Sequence, residues 1–210
     1  MKENLIIIGA GNVGGFISYN MDQFDDYNVL GFLDDDPLKQ NKKLYGRKVL
    51  GTINSIDDYI KEKPISVVVG IANPFVKKKI ISFLEKKKIN FPNMISKNSW
   101  ISKNVEIGKG IIIYPGVSIN YETSLHDFVI VNMNCAIGHN CNLSMFCTLA
   151  PGVNLGGFTK VGELVDIGIG VSTRQNINIG KNSIIAGQAM IVKDIPSEAK
   201  VKGVPGYIYI

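Results

Sequence analysis

The chain has 210 residues, 45% of them hydrophobic and 20% charged, with a net charge of +5 and three cysteines. These values exclude a disordered chain and, since no apolar run nears the ~20 residues that span a bilayer, a helical membrane protein. The lysine clusters at 77–79 and 86–88 fall in helical patterns and read as solvated faces. No basic and aromatic residues interleave and no nucleic-acid motif is present, so no nucleic-acid partner is expected. The opening "MKENLIIIGAG" has an apolar stretch of only four residues running into glycines, which is not a signal peptide. With an odd number of cysteines, three, this predicts a cytoplasmic protein.

In chain order, "NLIIIGAG" predicts a buried strand that ends in glycines, and "VGGFISYNM" carries apolar residues at helical spacing. "YNVLGFLDDD" is a second strand ending in acids, and "KPISVVVGIANP" is a third. "FVKKKIISFLEKKK" follows with apolar positions recurring at three and four residues. Strand and helix in alternation argue for a small parallel sheet with crossovers over residues 1–95.

From Ile101 the period becomes six. Every sixth residue from Ile101 to Ile191 is aliphatic except Thr173, with no insertion. A second register, from Val105 to Ile195, holds only small, β-branched or sulfur-bearing residues. An unbroken hexad repeat signals a parallel β-helix over residues 96–210, three hexads making one triangular coil of 18 residues. The aliphatic register fills the interior and the small register fits near the corners. The pattern resembles the hexapeptide-repeat acyltransferases, and that resemblance implies a left-handed coil.

"CAIGHNCNLSMFC" at 135–147 holds all three cysteines and one of the two histidines, His139. Cys135, Cys141 and Cys147 occupy successive places in the small inward register, so they fall on different sides of the triangle and read as packing. His139 is the third residue of its hexad and should point outward, away from them. No metal site is therefore expected. His126 has no supporting neighbours and reads as surface.

One coil above His139 stands Gly157, in "LGG". A backbone amide should lie there with no side chain between it and the imidazole. Thioester acyl transfer needs that pairing: a base to take the proton of the attacking group, and an N–H to hold the developing oxyanion.

The order of "GAGNVG" at 9–14, "FLDDD" at 32–36, "VVVGIANP" at 67–74, "GHN" at 138–140, "LGG" at 155–157 and "VKGVPG" at 201–206 resembles the sialic-acid O-acetyltransferase and nucleotide-sugar N-acetyltransferase family of the NeuD and PglD type. The likeness covers essentially the whole chain. It implies an α/β Rossmann-like domain (1–95) joined to an all-β left-handed β-helix (96–210), a homotrimer, and acetyl-CoA as co-substrate with no metal.

By that resemblance His139 is the general base and Gly157 supplies the oxyanion amide. Asn140 stands where the family has an acid that supports the base. Thr148 takes the place of a second family histidine near the thioester, and Ile169 and Gly187 fall where the pantetheine arm lies. The family's nucleotide-sugar contacts map to Gly11, Asn12, Val13, Asp34, Asp35 and Gly70, with Val13 replacing a common histidine. By itself "GAGNVG" is only a tight strand-to-helix turn, and the half-size domain suits a mononucleotide rather than NAD.

The expected function is acetyl-CoA-dependent N-acetylation of a UDP-linked 4-amino-4,6-dideoxy sugar for a bacterial surface glycan. Two alternatives stay open: O-acetylation of a sialic acid, and a non-catalytic trimeric scaffold of the same fold.

Overall fold

The computed structural model describes residues 2–24, 27–62 and 64–209. The chain divides into two compact units, residues 1–72 with 76–94, and residues 73–75 with 95–210.

In the first unit, β1 (Glu3–Ile8) is flanked in parallel by β2 (Tyr27–Leu33) and β5 (Ile65–Val69). Leu5, Ile6, Ile7 and Ile8 are fully buried, as a central parallel strand requires. Beyond β2 lies β4 (Arg47–Gly51), also parallel, and β3 (Lys43–Leu44) pairs antiparallel with β4 at the edge. The sheet order is β3-β4-β2-β1-β5.

Sequence reading anticipated three strands here and missed the β3–β4 hairpin. Its signal was the two-residue turn Tyr45–Gly46, with φ of 47° and 77°, the doubly left-handed geometry of a tight hairpin. Helices α1 (Asn12–Tyr19), α2 (Ile56–Glu62) and α3 (Pro74–Leu84) complete the alternation. The Lys77–Lys79 cluster departs from the solvated reading at one residue: Lys77 is only 1% exposed. No described helix is long and apolar enough to cross a membrane.

The second unit is a stack of two-residue parallel strands in three sheets. One sheet runs through Trp100–Ile101, Ser118–Ile119, Ala136–Ile137, Asn154–Leu155, Ser172–Thr173 and Met190–Ile191. A second runs from Glu106–Ile107 to Asn178–Ile179, and the third contains Ile112–Ile113, Ile130–Val131, Thr148–Leu149 and Asp166–Ile167. Partners are one 18-residue coil apart, as in Ile119 with Ile137 and Leu125 with Leu143. The inward register is buried along the column Ile119, Ile137, Leu155. The chain turns its corners through left-handed residues. At one corner these are Asn104 (60°), Glu122 (54°), Asn140 (56°), Phe158 (61°) and Asn176 (58°). Asparagine is the non-glycine residue that tolerates this conformation best. At the C-terminal end, Lys200–Lys202 pairs with Ile184–Ile185, and Tyr207–Tyr209 folds back against it.

Candidate active site

His139 stands at the corner between the first and second sheets, between strands Ala136–Ile137 and Asn142–Leu143. Its ring is half-buried and held on several sides. Tyr121, one coil below, stacks nearly parallel to it at 5.3 Å and 12°, and Phe158 meets it edge-on at 5.0 Å. Nδ1 lies 2.9 Å from Asn140 Oδ1, and Asn140 Nδ2 donates to Glu122 Oε2 at 2.6 Å. Because Asn140 Oδ1 can only accept, Nδ1 carries the proton and Nε2 keeps its lone pair.

Gly157 occupies the next rung. A Cβ placed on it would come 2.8 Å from Nε2 and 2.9 Å from Cε1 of His139, so only glycine leaves the basic nitrogen uncovered. The peptide between Gly156 and Gly157 is fixed from inside the coil. Thr159 Oγ1 donates to the Gly156 carbonyl at 2.6 Å, and the buried Cys141 thiol reaches the same oxygen at 3.4 Å. A trans peptide directs its C=O and N–H to opposite sides, so an inward Gly156 carbonyl sends the Gly157 N–H outward. Among the described residues no acceptor takes that N–H.

Thr173, the one break in the aliphatic register, belongs to the same device. It accepts the Gly156 N–H at 2.9 Å and meets Thr159 Oγ1 at 3.1 Å. Three hydrogen bonds thus close a ring: Gly156 N–H to Thr173, Thr173 hydroxyl to Thr159, Thr159 hydroxyl to the Gly156 carbonyl. Pattern reading passed over Thr173 as an exception; its hydroxyl is what orients the glycine turn. A groove of about 400 Å³ runs up the adjoining face past Trp100, Ser118, Ala136, Gly138, Asn154, Gly156 and Ser172, and ends at this corner.

One chain does not bring the other predicted acetyl-CoA residues to His139. Thr148 is buried on the third sheet, paired with Ile130 and Asp166. Ile169 and Gly187 stack on successive rungs of a different corner, where Gln188 N–H donates to the Ile169 carbonyl at 2.8 Å. Ile169 is 59% exposed there.

The cysteines lie at three corners, each just before a strand of a different sheet. All three are buried, and the thiols of Cys135 and Cys141 donate to backbone carbonyls inside the coil. Burial pushes both thiols up to about 11. Among the described residues no three His, Cys, Asp or Glu side chains converge to hold a metal ion. His126 is exposed, with Nε2 3.2 Å from Asn142 Nδ2.

In the first unit, Gly11, Asn12, Val13, Asp34, Asp35 and Gly70 gather around one cleft of about 490 Å³ at the C-terminal ends of the parallel strands. No side chain caps α1, whose first turn opens into this cleft behind Gly11. Gly14 lets α1 lie against β1, since a Cβ there would come 2.0 Å from the Gly9 carbonyl oxygen.

The two acids play different parts. Asp34 is buried, and accepts from Ala10 N–H at 2.7 Å, Asp36 N–H at 2.9 Å and Lys39 Nζ at 2.9 Å. Burial alone would raise its carboxyl; Lys39 and the two amides outweigh it and hold the group below the ordinary carboxylate value. Asp34 therefore braces the glycine turn from inside. Asp35 spends one oxygen on the Ile53 N–H at 2.8 Å, and its other oxygen has no partner among the described residues. Lys39, which sequence reading did not single out, lines the same cleft.

The fold and its likeness to solved structures define the class: a small α/β unit joined to a left-handed β-helix acetyltransferase. Residues 4–84 match the PglD N-terminal domain family. The acetyltransferase domain of PglB from Neisseria gonorrhoeae FA1090, solved in complex with acetyl coenzyme A, is similar with a TM-score of 0.92 and 28% identity, over 100% of each chain. PerB from Caulobacter crescentus, in complex with CoA and GDP-perosamine, is similar with a TM-score of 0.90 and 25% identity, over 98% of this chain and 97% of that one. WeeI from Acinetobacter baumannii AYE gives 0.88 and 25%, over 99% and 100%. Comparison with curated protein sequences finds no match. Over its whole length the chain thus resembles the NeuD and PglD type of sugar acetyltransferase.

Proposed function

We propose that the chain transfers the acetyl group of acetyl-CoA to the amine of a nucleotide-linked sugar, a UDP-linked 4-amino-4,6-dideoxy sugar, in the cytoplasm, for a bacterial surface glycan. The observation that carries the reading is the pair formed by His139 Nε2 and the outward N–H of Gly157. The sugar amine attacks the thioester carbonyl, and its proton passes to Nε2. The oxygen that gains charge is held by the Gly157 amide. Collapse breaks the C–S bond, a C–N bond remains, and the thiolate leaves to be protonated as CoA.

The cleft of the first unit supports a nucleotide. The uncapped start of α1 presents amides to a diphosphate, Lys39 adds a cation, and the unpartnered oxygen of Asp35 accepts from a ribose hydroxyl or a base N–H. A free sialic acid leaves these groups unused. Because PerB binds GDP-perosamine, the base has to be tested as well as the sugar.

Assembly is part of the proposal. Thr148 lies on the third sheet and Ile169 and Gly187 at another corner, away from His139, so a thioester site that collects them takes neighbouring copies. Three copies of the 23.0 kDa chain around a three-fold axis satisfy this.

The test is a thiol-release assay with acetyl-CoA and UDP- and GDP-linked amino sugars, the free sugars and sialic acid, with light scattering on the same sample. Fast turnover on UDP-linked amino sugar by a trimer is expected. A preference for GDP-linked sugar overturns the base assignment, and a preference for sialic acid overturns N-acetylation. Acetyl-CoA binding without turnover on any acceptor identifies a scaffold.

A further inference from the structure

We propose that Glu122 is a positioning residue for the base: it fixes the tautomer of His139 through the side-chain amide of Asn140. The proposal rests on the reading of His139 as the base, and its test has a readout independent of turnover. Asn140 replaces the carboxylate expected after the base, and an amide is ambiguous where a carboxylate is not. Facing Nδ1, an amide can present its oxygen, which leaves the proton on Nδ1 and Nε2 free. Turned over, it presents NH₂, which makes Nδ1 the acceptor and places the proton on Nε2, where it blocks base catalysis.

The carboxylate of Glu122 removes the ambiguity. It lies one coil below Asn140, 2.6 Å from Nδ2, and an ionised carboxylate only accepts. The amide is therefore held with NH₂ toward Glu122 and oxygen toward Nδ1, 2.9 Å away. Both residues share the left-handed corner column, at φ of 54° and 56°, which sets their side chains on adjacent rungs. Backbone bonding aligns the same corner, since Asn140 N–H donates to the Tyr121 carbonyl at 3.0 Å. Glu122 is exposed, so its long-range field at the imidazole is screened by water. What it contributes is direction, through one hydrogen bond.

The loss on removing it follows from populations. An amide with no preference leaves half of the molecules in the wrong tautomer and lowers kcat about twofold, and a bias toward the flipped amide carries the loss to about tenfold, with both KM values unchanged. Nitrogen-15 NMR of the full chain in the neutral-imidazole range reads the tautomer directly. The chain has only two histidines, so a His126→Asn variant assigns the signals. The wild type should show His139 protonated at Nδ1. Glu122→Gln and Glu122→Ala should each shift it toward Nε2–H. In an Asn140→Asp background, where an acceptor faces Nδ1 directly, Glu122→Gln should leave the His139 proton on Nδ1. A His139 spectrum unchanged by both Glu122 substitutions overturns the proposal, whether or not turnover is detected. A shifted tautomer with unchanged kcat in an active enzyme overturns its catalytic half.

Discussion

Thr159 Oγ1 donates to the carbonyl of Gly156 at 2.6 Å, and through the planarity of one peptide this interior hydroxyl aims the amide of Gly157 at the outside of the coil. Thr173 closes the ring by taking the Gly156 N–H. Thr173→Val would restore the aliphatic register that every other hexad keeps, and on hydrophobicity alone should stabilise the protein. The structure predicts the opposite. A half-buried N–H left without its acceptor costs up to about 1–3 kcal/mol, so the urea midpoint should fall and kcat with it. A variant as stable as the wild type would show that the ring contributes nothing.

Gly157→Ala tests the open rung. The three atoms nearest the added Cβ all belong to the His139 ring, and the backbone at Gly157 is not left-handed, so the fold should persist. The His139 ring is displaced instead, and on the proposed function a displacement near 1 Å costs about 10²-fold in kcat. Circular dichroism and a rate assay on one preparation separate the two effects. Full activity with alanine at 157 would remove the steric argument.

Asp34 sets a pH dependence. Its carboxyl is depressed in the folded state, so it contributes stability above its unfolded value, ~3.9, which is lost as pH falls through the folded value. Asp34→Asn should therefore be less stable than the wild type by about 1–3 kcal/mol near neutrality, losing hydrogen bonds to a charged group. The gap should close as pH falls from neutrality to an acid value below the folded one, where the wild-type carboxyl takes up its proton. Denaturant midpoints at the two pH values decide it, and a gap that stays constant contradicts the assignment.

The cysteines should behave as packing. With burial holding Cys135 and Cys141 up to about 11, a disulfide-exchange reagent at about pH 8 finds almost no thiolate on either, and all three thiols should react only after denaturation. Cys141→Ser should lower stability through an imperfectly paired buried hydroxyl. Fast labelling of the native protein would reopen the question of their role.

The β-helix was legible because a hexad repeat converts sequence distance into position. The same arithmetic that set Gly157 above His139 sets Glu122 below Asn140 and Tyr121 below His139. Those two neighbours went unread because spacing gives the rung and not the direction a side chain takes from it. Thr173 stands out in the sequence only as the one non-aliphatic position of its register, since its partners are a backbone amide and a threonine just before another strand. In the first unit, the cleft residues follow from strand ends and glycines. The division of labour between Asp34 and Asp35 depends on a short turn, Pro37–Lys39, that brings Lys39 back onto Asp34. No periodicity encodes that turn.

The central claim is that His139 takes the proton of the acceptor amine. Initial rates of CoA release should be compared for the wild type and His139→Ala on the acceptor that turns over fastest, with acetyl-CoA affinity measured separately by calorimetry. A fall in kcat of ~10²–10⁴ with acetyl-CoA affinity almost unchanged is expected. A variant that keeps its turnover within about threefold of the wild type would contradict it.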